Sequence, residues 1–320
     1  MSTSGNYTSK LLVSIDELVR LVGDAQGLTF QILKAPHFGY RSTVLILEAR
    51  SNRYVLKILD PAEDGDRELL PAQRLQTALS TRGIPVVSPL KWEDGRFFST
   101  VGGNTCILYP EASGSLFEPG PGGPRQLAAA GETLANIHAT DRGGLGLRTT
   151  SIREVAEACV ASAATLSSPV DLEINRLRDL HFDEHQDALL HGDFRAQNVL
   201  FRADAVSCVL DWDDAVVGPR ILDLCYSLIF FQAVIRDGAP TVDAMQSFLM
   251  GYEGGNPLTP DEWDRMSDHL FVALFKGLTL WTRIWNDTND PGVKARTQAW
   301  IETYAPLGDI IPSITTRLRT

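Results

Sequence analysis

The most informative stretch of this chain is His191-Gly192-Asp193-Phe194-Arg195-Ala196-Gln197-Asn198, with Val209-Leu210-Asp211-Trp212 a short distance beyond it. Two carboxylates and one amide, those of Asp193, Asn198 and Asp211, stand here among short apolar segments. Carboxylate and amide oxygens are the ligands that Mg²⁺ prefers in proteins. The pattern therefore indicates a polar site built at the ends of buried strands.

The segment between Asn198 and Asp211 predicts a hairpin. Val199-Leu200-Phe201 is apolar, a polar break follows at Arg202-Ala203-Asp204, and residues 206–210 are again mostly apolar. Two antiparallel strands of this length bring the start of the first strand close to the end of the second. We therefore expect Asn198 and Asp211 to reach the same cation.

The five-residue step from Asp193 to Asn198 is also the step in the catalytic loop of kinases. In that loop the aspartate accepts the proton of the attacking hydroxyl and the asparagine holds a magnesium ion. Each of these residue types alone is more often a turn former or a helix cap. The combination with His191 and Gly192 directly before the aspartate favours the catalytic interpretation.

The whole pattern resembles the superfamily of aminoglycoside phosphotransferases, choline kinases and type II homoserine kinases. The motif is His-Gly-Asp, four residues and Asn, followed by Leu-Asp-Trp-Asp-Asp-Ala-Val-Val-Gly-Pro-Arg-Ile-Leu-Asp-Leu at 210–224. The resemblance implies an α+β, protein-kinase-like fold of two lobes. The small N-lobe, 1–108, would have an antiparallel sheet and one main helix and bind the nucleotide, and the large, mostly helical C-lobe, 109–320, would carry the catalytic loop and the acceptor, with a hinge at about 106–114.

The resemblance also assigns roles to residues of the loop. Asp193 would be the catalytic base, Asn198 and Asp211 the magnesium ligands, and His191 and Asp223 the residues that fix the loop. Arg195 falls where protein kinases carry a phosphate-contacting lysine, so it joins Asp193 in the predicted catalytic set. Asp213 and Asp214 face either a second metal or the substrate, or belong to a solvent-facing turn.

An ATP-binding hairpin is expected upstream, and residues 43–59 supply it. Lys57 stands alone in an apolar strand, where a buried charge needs a partner and where the family's lysine contacts the α and β phosphates. A charge that protects an edge strand from aggregation is the alternative. The predicted partner of Lys57 is Glu68, at the start of the helical stretch 68–81; a solvent-facing glutamate is the alternative there.

Other nucleotide contacts are predicted from position. Gly39 lets backbone approach phosphates and Ser42 can donate to them. The strand 105–109, with Ile107 and Tyr109, runs into Pro110 and resembles the hinge, where backbone groups would bind adenine.

Composition is that of an ordinary globular enzyme: 320 residues, 44% hydrophobic and 22% charged. A net charge of −11 argues against a general nucleic-acid binder. The four cysteines are widely spaced and are expected to be reduced and buried. A polar N-terminus and a longest apolar run too short to span a bilayer predict a cytoplasmic protein without membrane contact. We expect a monomer or homodimer.

The last hundred residues are helical by pattern. Thr259-Pro260-Asp261-Glu262 predicts a helix start, and Leu270, Leu274, Leu278 and Trp281 recur at helical spacing in the next helix. In the superfamily the acceptor pocket lies between such helices and the catalytic loop. Trp281, Arg283 and Trp285 are predicted to line it, with a role as core aromatics as the alternative.

The sequence thus predicts an ATP- and Mg²⁺-dependent phosphotransferase acting on a hydroxyl of a small molecule. An amino alcohol such as homoserine and an aminoglycoside or other antibiotic are both open as acceptors. A protein Ser/Thr acceptor, as in the bacterial stress-response kinase, is the first alternative. A nucleotide-binding regulator with little catalysis is the second.

Overall fold

The computed structural model describes residues 11–34, 37–38, 42–59, 69–117, 123–143, 145–168, 174–178, 180, 187–231 and 242–319. The chain divides into two compact units, Met1–Ser113 and Gly114–Thr320. No helix within the described ranges is long and apolar enough to cross a membrane.

The first unit is an antiparallel sheet with two helices in its described part. The strands run in the order β1-β3-β4-β6-β5, and β2 pairs with β3. Their bounds are β1, Gln31–Ile32; β2, His37–Phe38; β3, Ser42–Ala49; β4, Asn52–Leu59; β5, Ser99–Val101; and β6, Asn104–Pro110. Helix α2, Leu69–Thr81, follows β4 as the main helix that the sequence predicts.

Helix α1, Ile15–Gln26, precedes the sheet and is an element that the sequence analysis missed. Its signals are ordinary ones. The Ser14 side chain accepts from the backbone N–H of Glu17, and Gly27 ends the helix in a left-handed conformation. Its apolar stripe, Leu18, Val19 and Val22, packs into the core of the unit.

Alternation along the strands decides which face of the sheet is buried. In β3 and β4 the residues Leu45, Leu47, Leu56 and Ile58 all point to one face and form the core with α1. Since successive side chains of a strand point to opposite faces, Lys57 lies on the other face. The sheet therefore presents a separate surface around Lys57.

The second unit is mostly helical, and its described strands form two small sheets, β10-β9-β7 and β11-β8. The strands are β7, Ser115–Leu116; β8, Asp187–Leu190; β9, Val199–Arg202; β10, Ala205–Val209; and β11, Val216–Pro219. The helices are α3, Gly123–His138; α4, Ile152–Thr165; α5, Arg220–Phe230; α6, Val242–Gly255; α7, Pro260–Asp264; α8, Met266–Asp287; α9, Pro291–Tyr304; and α10, Leu307–Leu318. Strands β9 and β10 form the predicted hairpin, and β8 pairs antiparallel with β11.

The predicted helix start at Thr259 is confirmed. The Thr259 hydroxyl accepts from the Glu262 backbone and the Glu262 carboxylate accepts from the Thr259 backbone, with Pro260 in the first turn. The helix ends after one turn at Asp264, and α8 then begins at Met266. Its predicted apolar residues Leu270, Leu274, Leu278 and Trp281 are all buried.

Helices α3 and α6 pack at very short range because glycine stands at the contact. A Cβ on Gly131 of α3 would overlap the backbone of Phe248, and a Cβ on Gly251 of α6 would overlap the backbone of Ala128. The contact places His138, at the end of α3, beside Tyr252 of α6. No disulfide joins the four cysteines, and all four are buried, as predicted.

Candidate active site

Strand β8 leads directly into the predicted catalytic loop of the second unit. Ala188, Leu189 and Leu190 are buried, and the chain then leaves the strand at His191. Residues Ala196–Asn198 form a 3₁₀ turn, closed by a 2.8 Å bond from the Asn198 backbone N–H to the Arg195 carbonyl. The loop is thus held between β8 and β9.

The hairpin brings the two predicted metal ligands together, as expected. Val199 pairs with Val209, and the backbone N–H of Leu210 donates to the carbonyl of Asn198 at 2.7 Å. Asp211 follows directly and has a φ of 59°, in the left-handed region that non-glycine residues seldom adopt. The polypeptide therefore turns sharply at the exposed carboxylate of Asp211.

Asp193 lies inside a network of donors. The Asn198 side-chain nitrogen donates to the Asp193 carbonyl at 2.8 Å and to Oδ2 of its carboxylate at 2.9 Å. The Tyr226 hydroxyl donates to Oδ1 at 2.7 Å. The Nε of Arg195 lies 3.0 Å from Oδ2 as an ion pair, without the alignment of a hydrogen bond. Both carboxylate oxygens are therefore contacted, each from a different element.

The charge state of Asp193 reflects two opposed effects. Burial raises the pKa of the carboxyl, whereas Arg195 and the Tyr226 hydroxyl lower it, and the net shift is upward. A raised pKa makes the carboxylate a stronger proton acceptor than an ordinary surface aspartate. The electrostatics of Asp193 thus suit the role of a general base.

The side chain of Asp223 holds the loop in place by accepting hydrogen bonds from backbone N–H groups of the loop. Its Oδ2 accepts from the N–H of His191 at 2.6 Å, and its Oδ1 accepts from the N–H of Gly192 at 3.0 Å. Burial would raise the pKa of Asp223, but the hydrogen bond with His138 and nearby positive charge hold the pKa below its ordinary value. His138 is in turn bound to the Tyr252 hydroxyl at 2.8 Å. His138 is thus a buried structural histidine.

His191 joins the loop to the end of the hairpin. Its Nδ1 accepts from the Asp193 backbone N–H at 3.2 Å, so Nε2 carries the proton and donates to the Leu210 carbonyl at 2.9 Å. The ring also packs on Trp212, with centroids 4.6 Å apart. His191 therefore fixes the approach of Asp193 to the Asp211 segment.

The glycine before Asp193 is required by the packing of the loop. Gly192 has a φ of 83°, and a Cβ there would overlap the backbone carbonyl of Asp214. This contact brings the Asp213-Asp214 pair against the catalytic loop. Asp214 is close enough to Arg195 and Asp193 to raise the pKa of each.

The donor set fits a magnesium ion. Since the Asn198 amide nitrogen donates to Asp193, the amide oxygen Oδ1 would be the atom that binds a cation. Asp211 adds a carboxylate one residue beyond the Leu210–Asn198 bond. An amide and a carboxylate oxygen are hard ligands of the kind that Mg²⁺ takes. Within the described residues no three His, Cys, Asp or Glu side chains form a metal cluster.

Four predicted nucleotide residues share one face of the sheet in the first unit. Lys57 is aligned with Val44 of β3 and Ile107 of β6. Ser42 and Tyr109 lie two residues from these partners, and so point to the same side as Lys57. This face is opposite the hydrophobic core. The structure therefore brings Ser42, Lys57, Ile107 and Tyr109 together, whereas Gly39 and Glu68 lie outside the described residues.

The predicted acceptor residues are placed differently from one another. Trp281 is buried and packs against Phe230 and Tyr304, with centroids 5.3 Å and 5.1 Å away. Trp285 is partly exposed under the ammonium of Lys294, and Arg283 is exposed and donates to the Ser162 hydroxyl. Contact with an acceptor stays a prediction for all three.

Two residues of the site were not predicted from the sequence. Tyr226 of α5 reaches Asp193, and Lys276 of α8 donates to the Gly192 carbonyl at 2.5 Å. A signal for Lys276 was present, because it interrupts an apolar helix in the way that Lys57 interrupts an apolar strand. Tyr226 lies in a wholly buried helix, where nothing in the pattern separates it from a core aromatic.

Comparison with known proteins identifies a matching family. A family model described as the phosphotransferase enzyme family matches residues 33–267. The homoserine kinase of Methylobacillus flagellatus is 28% identical over 303 residues, which cover 91% of this chain and 86% of that protein.

Solved structures share the fold. The structure of a microcompartment-associated aminopropanol kinase superposes with a TM-score of 0.66 at 15% identity, covering 94% of this chain and 99% of that one. The amicoumacin kinase hAmiN, in complex with AMP-PNP, Ca²⁺ and Ami, gives a TM-score of 0.64 at 16% identity, covering 92% and 94%. At such identities the likeness shows the fold alone, and the fold is the kinase-like one that the sequence predicts.

Proposed function

Because the chain belongs to the phosphotransferase enzyme family, we propose that it transfers the γ-phosphoryl group of ATP to a hydroxyl of a small molecule. The observation that carries the proposal is the arrangement around Asp193. A carboxylate with a raised pKa shares its loop with Asn198, and the hairpin bonds Asn198 to the residue before Asp211. This arrangement supports the proposal that Asp193 is the base and that Asn198 and Asp211 are oxygen ligands for a cation next to it.

The reaction follows from these positions. Asp193 accepts the proton of the acceptor hydroxyl as its oxygen forms a bond to the γ-phosphorus, and the bond from the γ-phosphorus to the β,γ-bridging oxygen breaks to release ADP. Asn198 and Asp211 would hold Mg²⁺, which would offset negative charge on the phosphates. Arg195, partly exposed beside Asp193, would contact a phosphate oxygen.

The face of the sheet around Lys57 is the proposed nucleotide surface. Lys57 supplies a cation for phosphates, Ser42 a hydroxyl donor, and the Ile107–Tyr109 segment backbone groups for the adenine. The AMP-PNP bound to the related amicoumacin kinase supports an ATP-like donor. Glu68 as the partner of Lys57, and Gly39 over the phosphates, belong to the same proposal.

For the acceptor we propose an amino alcohol of the size of homoserine. The similarity to a homoserine kinase over most of both chains supports this size class. An antibiotic hydroxyl is the second candidate, because antibiotic kinases share the fold at comparable TM-scores.

The test is Mg²⁺-dependent ADP release by the purified protein with ATP and, separately, homoserine, 3-aminopropan-1-ol, choline, an aminoglycoside or a generic protein substrate. Mass spectrometry of each product reports the transferred phosphoryl group. Asp193→Asn should abolish transfer, and Lys57→Met should raise KM for ATP or lower kcat. Asp204→Asn is the matched control, because Asp204 lies in the turn of the same hairpin and pairs with Arg125 away from the site.

Two results would contradict the proposal. One is phosphoryl transfer that persists in Asp193→Asn. The other is ATP binding without transfer to any acceptor, combined with a biological activity that survives Asp193→Asn but not Lys57→Met, which would indicate a nucleotide-binding regulator.

A further inference from the structure

Tyr226 lies in the middle of α5, and only 4% of its surface is exposed. Its hydroxyl donates to Oδ1 of Asp193 at 2.7 Å. Burial is the main reason that the pKa of Tyr226 lies well above its ordinary value, and the negative charge of Asp193 adds to it. The side chain is therefore a neutral phenol at physiological pH. It acts as a donor to the carboxylate, in the geometry of a short, charge-assisted hydrogen bond.

Lys276 supports this contact from α8. Its ammonium donates to the Gly192 carbonyl at 2.5 Å and lies 4.6 Å from the centroid of the Tyr226 ring. The first contact holds the backbone next to Asp193, and the second is a cation–π contact that holds the ring. One side chain of α8 thus touches both the loop and the residue that binds the base.

The two sides of the Asp193 carboxylate are consequently held by different elements. Asn198 donates to Oδ2 from within the loop, and Tyr226 donates to Oδ1 from α5. The terminal torsion of an aspartate is broad and soft, so a carboxylate held at one oxygen can still rotate. Held at both oxygens, it keeps one orientation. A general base needs one fixed orientation to accept the proton of an acceptor hydroxyl whose oxygen lies in line with the γ-phosphorus.

We infer that Tyr226 and Lys276 are positioning residues that set the orientation of the Asp193 carboxylate toward the acceptor hydroxyl, Tyr226 by direct contact and Lys276 through Tyr226 and Gly192. The inference rests on the proposed function, in which Asp193 is the base. Helix α8, which carries Lys276, is thereby coupled to the catalytic loop. A purely structural role would stabilise the fold without selecting an orientation.

Tyr226→Phe is the direct test, because it removes the hydroxyl and keeps the ring that Lys276 contacts. With homoserine as the acceptor, or the best acceptor from the panel above, kcat should fall roughly 10- to 100-fold while KM for ATP stays unchanged. Hydrolysis of ATP by water needs no aligned acceptor and should fall less. The ratio of ADP formed to acceptor phosphorylated should therefore rise.

That ratio separates positioning from stability. A variant that is only less stable has fewer active molecules, so both rates fall together and the ratio is unchanged. Tyr304→Phe is the matched control. Tyr304 is another buried tyrosine of the same unit, packs on Phe230 as Tyr226 does, and its hydroxyl has no hydrogen-bond partner among the described residues. It should leave kcat and the ratio as in the parent protein.

Lys276 is tested by a conservative pair. Lys276→Met should lower kcat and raise the ratio of ADP formed to acceptor phosphorylated. Lys276→Arg keeps a cation and a donor, so its kcat and its ratio should lie close to those of the parent protein. The double variant Tyr226→Phe/Lys276→Met should lose less than the product of the two single losses, because Lys276 acts partly through Tyr226. Equal losses of kcat in Lys276→Met and Lys276→Arg would overturn the role given to Lys276. A double variant whose loss of kcat equals the product of the two single losses would do the same.

A crystal structure of Tyr226→Phe with MgATP gives a readout that needs no acceptor. The Asp193 carboxylate should rotate or occupy two orientations, and an unchanged single orientation would overturn the inference. An unchanged kcat and ratio would do the same. If the parent protein transfers phosphate to nothing in the panel, the proposed function fails by that result, and the carboxylate orientation still judges the role of Tyr226.

Discussion

The buried carboxylate of Asp223 accepts a 2.6 Å hydrogen bond from the backbone N–H of His191. The bond joins helix α5 to the first residue of the catalytic loop, and a second bond to the Gly192 N–H fixes the next peptide. Because the loop backbone is bound here, the position of Asp193 depends on a residue that does not contact it.

Asp223→Asn should therefore lower both stability and kcat. An amide presents a donor to one of the two N–H groups, which leaves a buried donor unsatisfied at a cost of roughly 1–3 kcal/mol in the free energy of unfolding. Denaturant unfolding and steady-state kinetics measure the two effects. Asp243→Asn is the control, since Asp243 is 86% exposed and pairs only loosely with Arg317 at 3.6 Å. Equal stabilities of the two variants would contradict the anchoring role.

Gly192→Ala should have its main effect on kcat and a smaller effect on the free energy of unfolding. The alanine would meet two problems, a φ of 83° and overlap with the Asp214 carbonyl, so the loop must shift next to Asp193. Gly146→Ala isolates the first problem, because Gly146 has a φ of 67° and no atom near the added Cβ. It should cost about 1 kcal/mol and leave kcat unchanged. Thermal denaturation and kcat are measured for both variants. A loss of kcat in Gly192→Ala alone is due to the overlap with Asp214, and a loss shared by both variants is due to backbone strain.

The buried ion pair of Arg220 and Glu262 predicts a pH dependence of stability. Burial would raise the pKa of Glu262, but hydrogen bonds from Arg220 and the Thr259 backbone lower it below the ordinary value. A carboxyl with a lower pKa in the folded state adds stability above its unfolded-state pKa of about 4.3 and loses it as the pH falls through the folded-state value.

Glu262→Gln should thus cost roughly 1–3 kcal/mol at neutral pH and progressively less below about pH 4. Denaturant unfolding at a series of pH values measures the difference from the parent protein. Glu302→Gln, on the exposed side of α9, should show little difference at any pH. A loss for Glu262→Gln that stays constant down to the acid limit would refute the linkage.

Two glycines of the same helix should respond oppositely to alanine. Gly251→Ala would drive a Cβ into the backbone of Ala128 and should destabilise the protein by roughly 1–3 kcal/mol. Gly254→Ala meets no atom within 4 Å and removes backbone freedom, so it should be neutral or stabilise by about 0.5–1 kcal/mol. Thermal denaturation of the pair tests whether α3 and α6 pack through Gly251.

The parts of the site that the sequence predicted are those encoded at short range. The hairpin that joins Asn198 to Asp211 follows from two apolar runs and a polar turn, and the hairpin of residues 43–59 that carries Lys57 follows from the same kind of pattern. The cap and glycine stop of α1 were also present, and the helix was predictable from Ser14 and Gly27. Glu68 and Gly39 stay predictions, because they lie outside the described residues.

The contacts that Tyr226 and Lys276 make with the loop could not be predicted in this way. Tyr226 follows it by 33 residues and Lys276 follows Gly192 by 84, so no spacing rule connects them to the loop. Local sequence specifies which groups stand on a strand, a turn or a helix, because propensity and periodicity act over a few residues. The orientation of the carboxylate depends instead on how α5 and α8 pack against the loop, and packing depends on all the side chains between them.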